Sequence, residues 1–154
     1  MTAADRDQSR KTLLIVEDDV LPAMVLRDEL ADAGYHVLDL TGRSADAITA
    51  AQQHAPDLAL VNIQLDGRDD GIELAARLKE LGVPVLFISG QVSRARSAKT
   101  VAIGSLPKPY DAADMVKAVN YLLCHLVGDD SLPRPPGLEV FDHREDDLPS
   151  ELAI

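Results

Sequence analysis

Short apolar runs alternate with segments of helical periodicity along most of this chain. The apolar runs end at turn or polar residues, as buried strands do, and they cover residues 12–16, 35–40, 58–61, 84–88 and 103–106. The helical segments cover residues 20–33, 44–54, 91–102, 111–127 and the stretch after Gly71. Because strand and helix alternate five times, the pattern predicts a doubly wound, mostly parallel α/β sheet with helices on both faces.

The sequence makes specific predictions for single residues of the first two helices. In the first helix, Leu21, Met24, Val25 and Leu30 fall on one side, which predicts the face that is buried. In the second helix, Ser44 is the predicted N-cap, because its hydroxyl can accept a hydrogen bond from a free N–H group of the first turn.

Composition and charge restrict the class of protein. The 154 residues fit one domain, and no apolar run approaches the roughly 20 residues that would span a bilayer. A net charge of −11 with 3% aromatic residues argues against a nucleic-acid-binding surface, which needs basic patches. The single cysteine, Cys124, and an N-terminus without a secretory signal favour a reducing compartment. The sequence therefore predicts a cytoplasmic protein that binds neither nucleic acid nor membrane.

Composition also divides the chain into a flexible lead-in, a domain with the alternating pattern and an acidic, proline-containing tail, at residues 1–11, 12–127 and 128–154. The tail holds eight acidic and two basic residues, and its prolines predict extended, non-regular chain. Two interpretations of the tail are open. It is either a disordered acidic segment, or it docks through Leu138, Val140 and Phe141.

Polar side chains follow the ends of four predicted strands. The first strand runs into Glu17 and Asp18, the third ends at Asn62, the fourth at Ser89, and the fifth leads to Lys108. The carboxyl ends of parallel strands meet at one edge of a sheet, where such folds bind ligands. Carboxylates opposite an oxygen-bearing side chain suit Mg²⁺, whereas a lysine and a hydroxyl suit phosphate oxygens. Each group alone would equally fit a helix terminus or a solvated charge, so the prediction rests on their joint placement.

The order and separations of these motifs resemble those of receiver domains of two-component response regulators, over residues 12–127. The matching segments are Leu14-Ile15-Val16-Glu17-Asp18-Asp19, Pro56-Asp57-Leu58 through Gly71-Ile72-Glu73-Leu74, Phe87-Ile88-Ser89-Gly90 and Lys108-Pro109-Tyr110. The resemblance implies a flavodoxin-like, five-stranded parallel sheet of order 2-1-3-4-5. It also implies a signalling module, not an enzyme, whose partner is a sensor histidine kinase or a phosphotransfer protein.

The resemblance further implies roles for single residues. Asn62 stands at the phosphoacceptor position, Ser89 at the switch hydroxyl and Lys108 at the family's lysine, and the bond from Lys108 to Pro109 is commonly cis. The implied ligands of Mg²⁺ are Glu17, Asp18, Asn62 and Gln64.

Asn62 departs from the family pattern, which has aspartate here. An aspartate attacks as a carboxylate nucleophile and forms an acyl phosphate, whereas an amide has no anionic oxygen at neutral pH. Asp57 lies too early in the chain and Asp66 too late to replace it. The chain as it stands is therefore expected not to be phosphorylated, and to bind Mg²⁺ weakly or not at all. Two explanations are open. Asn62 is either an engineered block or the native residue of a degenerate receiver.

The switch surface departs from the family as well. Ser105 stands where the family has an aromatic residue in strand five, and Gln91 follows the Ser-Gly turn, so the usual serine–aromatic coupling is not expected. The resemblance implies an interaction face on the fourth helix, fifth strand and fifth helix, through which a homodimer would form. Arg94, Arg96 and Lys99 make part of this face basic, which suits the acidic tail of the same or another chain.

Three functions are open to a domain of this kind. The leading one is a stand-alone receiver that takes phosphate from a histidine kinase in its Asn62→Asp form, and signals by protein contacts or acts as a phosphate sink. The second is a native pseudo-receiver, which binds proteins independently of phosphorylation. The third, a hydrolase or nucleotide-binding enzyme, lacks support because no Gly-rich phosphate loop follows the first strand.

Overall fold

The three central strands of the sheet are buried on both faces. Every residue of β3 (Leu58–Asn62) and β4 (Val85–Ser89) is buried, as are the last four residues of β1 (Thr12–Val16). Near-continuous apolar runs are what a parallel sheet covered by helices requires. The computed structural model describes residues 10–65, 67 and 69–141. The predictions for most of the lead-in and for the end of the tail fall on residues outside these ranges.

Strands and helices alternate as the sequence pattern predicts. The remaining elements are α1 (Val20–Asp32), β2 (His36–Val37), α2 (Ser44–His54), α3 (Gly71–Glu80), α4 (Val92–Ser97), β5 (Gly104–Pro107), α5 (Ala112–Leu126) and β6 (Glu139–Val140). The strand order is β2-β1-β3-β4-β5-β6, and the first five strands pair in parallel. The flavodoxin-like order 2-1-3-4-5 is therefore confirmed. No helix in the described part of the chain is long and apolar enough to cross a membrane.

Side chains of the central strands alternate between two apolar cores, because successive residues of a strand point to opposite faces. Leu13 and Ile15 enter the core that α1 and α5 cover, whereas Leu14 and Val16 enter the core that α2, α3 and α4 cover. The two layers of helices leave only the ends of the strands open to solvent, and the polar strand-end residues lie there.

The predictions of a five-stranded sheet and of a wholly non-regular tail were wrong. β6 pairs antiparallel with β5, so the described sheet has six strands. Leu138 and Phe141 are only 5% and 7% exposed, so docking is the correct interpretation for this part of the tail. Only two residues pair, and the apolar residues around them do not alternate strictly. A strand this short therefore has no periodic pattern to predict it from.

The buried face of α1 agrees with the prediction at Leu30 but not at Leu21, Met24 and Val25. Ala23, Leu26 and Leu30 are buried, whereas Leu21 and Val25 are 73% and 56% exposed. Apolar residues lie on more than one side of this helix, so periodicity alone does not decide which side packs on the sheet. The exposed apolar surface, hereafter the α1 patch, comprises Val20, Leu21, Met24 and Val25.

Ser44 begins α2 but does not cap it, which corrects another prediction. The N-cap position is Arg43, and the backbone N–H of Ser44 donates to Asp69 Oδ2 at 3.0 Å. The cap therefore comes from the loop between β3 and α3. This hydrogen bond attaches that loop, which leaves the strand end at Asn62, to the start of α2.

Candidate functional site

The carboxyl ends of β1, β3, β4 and β5 meet at one cleft of about 510 Å³. The strand register brings these ends to the same edge of the sheet, since Asn62 lies opposite Ile88, and Ser89 lies opposite Pro107. The residues that line this cleft, hereafter the site cleft, are Glu17, Asp18, Asp19, Asn62, Gln64, Leu65, Ser89, Gly90 and Lys108. The structure thus brings all of the predicted site residues together.

Asn62 is buried at the end of β3, with 6% of its surface exposed. Its Nδ2 donates a hydrogen bond to the backbone carbonyl of Gln64 at 2.7 Å. Because a carbonyl oxygen only accepts, the atom that faces it is the amide nitrogen, which fixes the orientation of the side chain. An ionised carboxylate has no proton to donate and would place two acceptors against each other. The contact therefore suits the amide of Asn62 and not an ionised carboxylate.

Glu17 is a largely buried carboxylate of the site cleft, 7% exposed. Burial raises the pKa of Glu17 above its ordinary value; the Lys108 ammonium opposes the rise, and the Asp18 carboxylate adds to it. Loss of hydration on burial is thus the main cause, and repulsion by the neighbouring carboxylates is a smaller one. A fourth carboxylate at position 62, beside Glu17, Asp18 and Asp19, would increase that repulsion, and the neutral amide of Asn62 avoids it.

Ser89 and Lys108 lie on neighbouring strand ends. Ser89 Oγ donates to the carbonyl of Gln91 at 3.1 Å and accepts from its N–H at 2.8 Å. The N–H of Lys108 donates to the carbonyl of Ser89 at 2.8 Å, and the bond from Lys108 to Pro109 is cis, as the resemblance implies. A phosphate oxygen at the serine hydroxyl would have to compete with the Gln91 contacts.

A second and more apolar cleft of about 500 Å³ adjoins the site cleft. It is lined by Leu21 and Val25 of the α1 patch and by Tyr110, and it shares Glu17 and Lys108 with the site cleft. Burial raises the pKa of Tyr110 to about 12, and the Glu17 carboxylate adds to the rise. The phenol therefore remains protonated at neutral pH, so the carboxylates and the lysine supply the charge where the two clefts meet.

The start of α3 makes two contacts that were not predicted from the sequence. A Cβ on Gly71 would overlap the carbonyl oxygen of Asn62 and lie 2.7 Å from Ile63 Cα, so α3 packs directly on the backbone of β3. Asp70 caps α3, and its Oδ1 lies 3.2 Å from an Arg94 guanidinium nitrogen of α4. An Asp-Gly pair before a helix is a recognisable cap signal, but nothing in the sequence pairs Asp70 with Arg94.

The oxygen atoms of the site cleft do not form a complete set of Mg²⁺ ligands in the observed arrangement. Glu17 and Asp18 supply carboxylates, but the carbonyl of Gln64 already accepts the hydrogen bond from Asn62. Among residues 10–65, 67 and 69–141, no group of three or more His, Cys, Asp and Glu side chains could hold a metal ion. Mg²⁺ demands near-octahedral oxygen ligands, and the Asn62 hydrogen bond leaves only one lone pair of the Gln64 carbonyl for it.

The strand order and the acidic strand-end cleft define a class, the flavodoxin-like α/β domains that carry their site at the carboxyl ends of parallel strands. Within that class, the chain belongs to the family described as "Response regulator receiver domain", which matches residues 13–120. The family that the sequence motifs resembled is thereby confirmed. Receiver domains are signalling modules of two-component systems and are generally not enzymes. They interact with histidine kinases or phosphotransfer proteins, and Mg²⁺ at the acidic pocket is typical of them.

The chain is similar to bacterial response regulators along most of its length. It is 31% identical over 124 residues to the transcriptional regulatory protein PdtaR of Mycobacterium tuberculosis, covering 77% of this chain and 58% of that protein. The chain thus spans less than two thirds of that relative. It is 24% identical over 116 residues to the chemotaxis protein CheY of Bacillus subtilis, covering 72% of this chain and 96% of CheY.

Solved receiver structures agree with the fold. A signal receiver domain of a modulated diguanylate cyclase from Desulfovibrio desulfuricans G20 has a TM-score of 0.68 at 36% identity and covers 76% of this chain and 96% of its own. A CheY-like receiver domain protein from Methanospirillum hungatei JF-1 has a TM-score of 0.71 at 22% identity, and the match covers 78% of this chain and 98% of that one. The second similarity concerns the fold alone.

Proposed function

We propose that this chain is a stand-alone receiver of a two-component phosphorelay that is not phosphorylated as it stands. The observation that carries the proposal is the hydrogen bond from Asn62 Nδ2 to the carbonyl of Gln64, at 2.7 Å, in a cleft that also collects Ser89 and Lys108. The cleft has the groups that a phosphoryl group needs, but the acceptor position holds an amide. In the Asn62→Asp form, the protein takes phosphate from a histidine kinase and signals by protein contacts or acts as a phosphate sink.

The transfer in the Asn62→Asp form is a displacement at phosphorus. A carboxylate oxygen at position 62 forms the new P–O bond while the P–N bond to the donor histidine breaks. The imidazole nitrogen keeps the electron pair and takes up a proton. The ammonium of Lys108 attracts the phosphoryl oxygens as a point charge, and the hydroxyl of Ser89 donates to one of them once it leaves Gln91.

A second candidate function is a native pseudo-receiver that binds proteins independently of phosphorylation. One observation favours it, because the folded chain itself satisfies the buried amide of Asn62. Among the described residues, no buried side-chain nitrogen or oxygen lacks a hydrogen-bond partner. A buried amide that has a hydrogen-bond partner without a ligand is what such a module would have.

Incubation with acetyl phosphate and Mg²⁺ separates these two functions. We expect the Asn62→Asp form to gain the mass of one phosphoryl group, and the gain to require Mg²⁺ and to be lost in acid. The unaltered chain is expected to gain nothing, because the amide is not a nucleophile at neutral pH. Intact-protein mass spectrometry measures both forms, and Lys108→Ala in the Asn62→Asp background is the control for labelling elsewhere. No gain in the Asn62→Asp form would favour the pseudo-receiver.

We assign the contact with the kinase or phosphotransfer protein to the α1 patch. Val20 and Leu21 are 63% and 73% exposed, and Leu21 lines the apolar cleft that shares Lys108 with the site cleft. A group of exposed large apolar residues beside a polar site is the usual sign of a protein-binding surface. A partner seated there would bring its histidine to the mouth of the site cleft.

Leu21→Ser tests this assignment in the Asn62→Asp background. We expect labelling by acetyl phosphate to stay unchanged, because the small donor does not need the patch. Transfer from the histidine kinase that labels the parent form fastest in a panel should slow by about tenfold or more, since a buried leucine contributes roughly 1.5–3 kcal/mol. Val127→Ser is the matched control, because Val127 is 76% exposed at the far end of α5. Equal slowing by both substitutions, or by neither, would contradict the assignment.

A further inference from the structure

The outer edge of β5 is covered by residues 138–141 of the same chain. β6 lies antiparallel to β5, with Val140 opposite Gly104 and Glu139 opposite Ser105. The N–H of Phe141 donates to the carbonyl of Ile103 at 2.9 Å, which extends the pairing by one bond. The contact is therefore main-chain pairing at a sheet edge, in addition to packing of side chains.

Gly104 permits this close approach. A Cβ on Gly104 would lie 2.7 Å from the carbonyl oxygen of Glu139, whereas its next neighbours, on Leu122 and Leu86, lie at 3.7 Å. The φ of Gly104 lies outside the left-handed region, so the backbone conformation itself accepts alanine. Gly104→Ala is thus a substitution whose clash is with β6 and not with the rest of the domain.

Two apolar side chains anchor the strand, one on each side of the sheet. Phe141 belongs to the core that α4 helps to cover, whereas Leu138 belongs to the core under α5. Residues three apart on a strand point to opposite faces, so this spacing fits an extended segment that sits on the edge between the two helices. Removing the segment would expose apolar core residues on each side of β5.

A charge contact adds selectivity to the apolar anchors. Arg96 Nε of α4 donates to both carboxylate oxygens of Glu139, at 2.9 Å each. Because the pair is largely exposed to solvent, it contributes little strength. The contact with Arg96 does favour an acidic residue next to Leu138, the first apolar anchor.

We propose that the β5 edge between α4 and α5, hereafter the β5 groove, is a strand-accepting interaction surface that residues 138–141 close in cis. The partner that fits it is an extended protein segment that pairs antiparallel with β5. That segment has apolar residues three positions apart and an acidic residue next to the first of them. Strand addition of this kind takes its affinity from main-chain hydrogen bonds and its specificity from the pockets that receive alternate side chains. The cis strand is short enough to be displaced, because only two of its residues pair with β5.

Peptide binding in trans tests the proposal on the full chain. Leu138→Ser with Phe141→Ser releases the cis strand, and the probe is a peptide of residues 135–141 added to the isotope-labelled protein. We expect amide shifts at residues 103–106 in this released variant. The unaltered chain should bind the peptide about tenfold more weakly or worse, because a tethered strand has an effective concentration on the order of millimolar. Adding Gly104→Ala to the released variant should abolish the binding.

Each other outcome overturns the proposal. Equal peptide affinity of the unaltered chain and the released variant would show that residues 138–141 do not close the groove. No binding by the released variant up to millimolar peptide would show that the groove does not accept a strand. A dimer of the unaltered chain that Gly104→Ala dissociates would assign the groove to a second copy instead.

A charge exchange provides a second test if the released variant does not fold. We expect Glu139→Arg to speed hydrogen exchange of the Phe141 amide, and Arg96→Glu combined with Glu139→Arg to restore the slow rate. Exchange that is fast in the unaltered chain would overturn the closure in cis, and exchange equally slow in all three proteins would overturn the part assigned to the contact between Arg96 and Glu139.

Discussion

Asn62→Asp is expected to lower the stability of the metal-free protein and to strengthen its binding of Mg²⁺. The substitution removes the donor to the carbonyl of Gln64, and losing an ordinary hydrogen bond costs about 0.5–1.5 kcal/mol. It also adds a charge beside Glu17 and Asp18. Two like charges about 4 Å apart repel by roughly 4 kcal/mol at an effective dielectric near 20, before protonation relieves part of it. A net loss of roughly 2 kcal/mol or more follows, and Mg²⁺ should reverse it by neutralising the carboxylates.

Urea unfolding with and without Mg²⁺ measures this effect. Asn62→Ala is the control, since it removes the hydrogen bond without adding a charge, and it should lose stability without responding to Mg²⁺. The unaltered chain should show little response to Mg²⁺, because its Gln64 carbonyl already holds a hydrogen bond. Equal stability of the unaltered chain and Asn62→Asp in both conditions would contradict the account.

Gly71→Ala is expected to be the most destabilising single-methyl addition near the site. The new Cβ would overlap the carbonyl oxygen of Asn62 and crowd Ile63 Cα at 2.7 Å. These are backbone atoms of a central strand and its exit, which cannot move without disturbing the pairing with β4. Overpacking a rigid site costs about 1–3 kcal/mol and sometimes more, and we expect a loss at or above 3 kcal/mol.

Gly90→Ala is the matched control for that substitution. Gly90 also follows a central strand, but a Cβ there would meet nothing within 4 Å. Its unfolding free energy should change by less than about 1 kcal/mol, as surface substitutions usually do. Similar losses in the two variants would show that α3 does not pack on β3 as closely as described.

The site was predictable because its placement follows from the sheet. Glu17, Asn62, Ser89 and Lys108 each follow an apolar run, and parallel strands bring such positions to one edge whatever the intervening loops do. The fold class followed from the same alternation of runs and amphipathic segments. Neither prediction needed a side-chain contact to be known.

The contacts that distinguish this chain depend on geometry that periodicity does not encode. The hydrogen bond of Asn62 is made to a carbonyl two residues further on, and its direction is set by how the loop leaves β3. The face of α1 depends on which of two apolar sides packs on the sheet. The docking of β6 depends on a missing Cβ at Gly104, since the sequence shows a glycine but not its neighbour.

Of the groups that hold a phosphoryl group, we infer that the site cleft lacks only a carboxylate at position 62. An amide NMR titration of the unaltered chain and of Asn62→Asp with Mg²⁺ and beryllofluoride tests this, because beryllofluoride bound to an aspartate oxygen mimics the acyl phosphate. We expect saturable shifts at Ser89 and Lys108 in Asn62→Asp and none in the unaltered chain. Equal shifts in both proteins, or no shifts in Asn62→Asp, would contradict it.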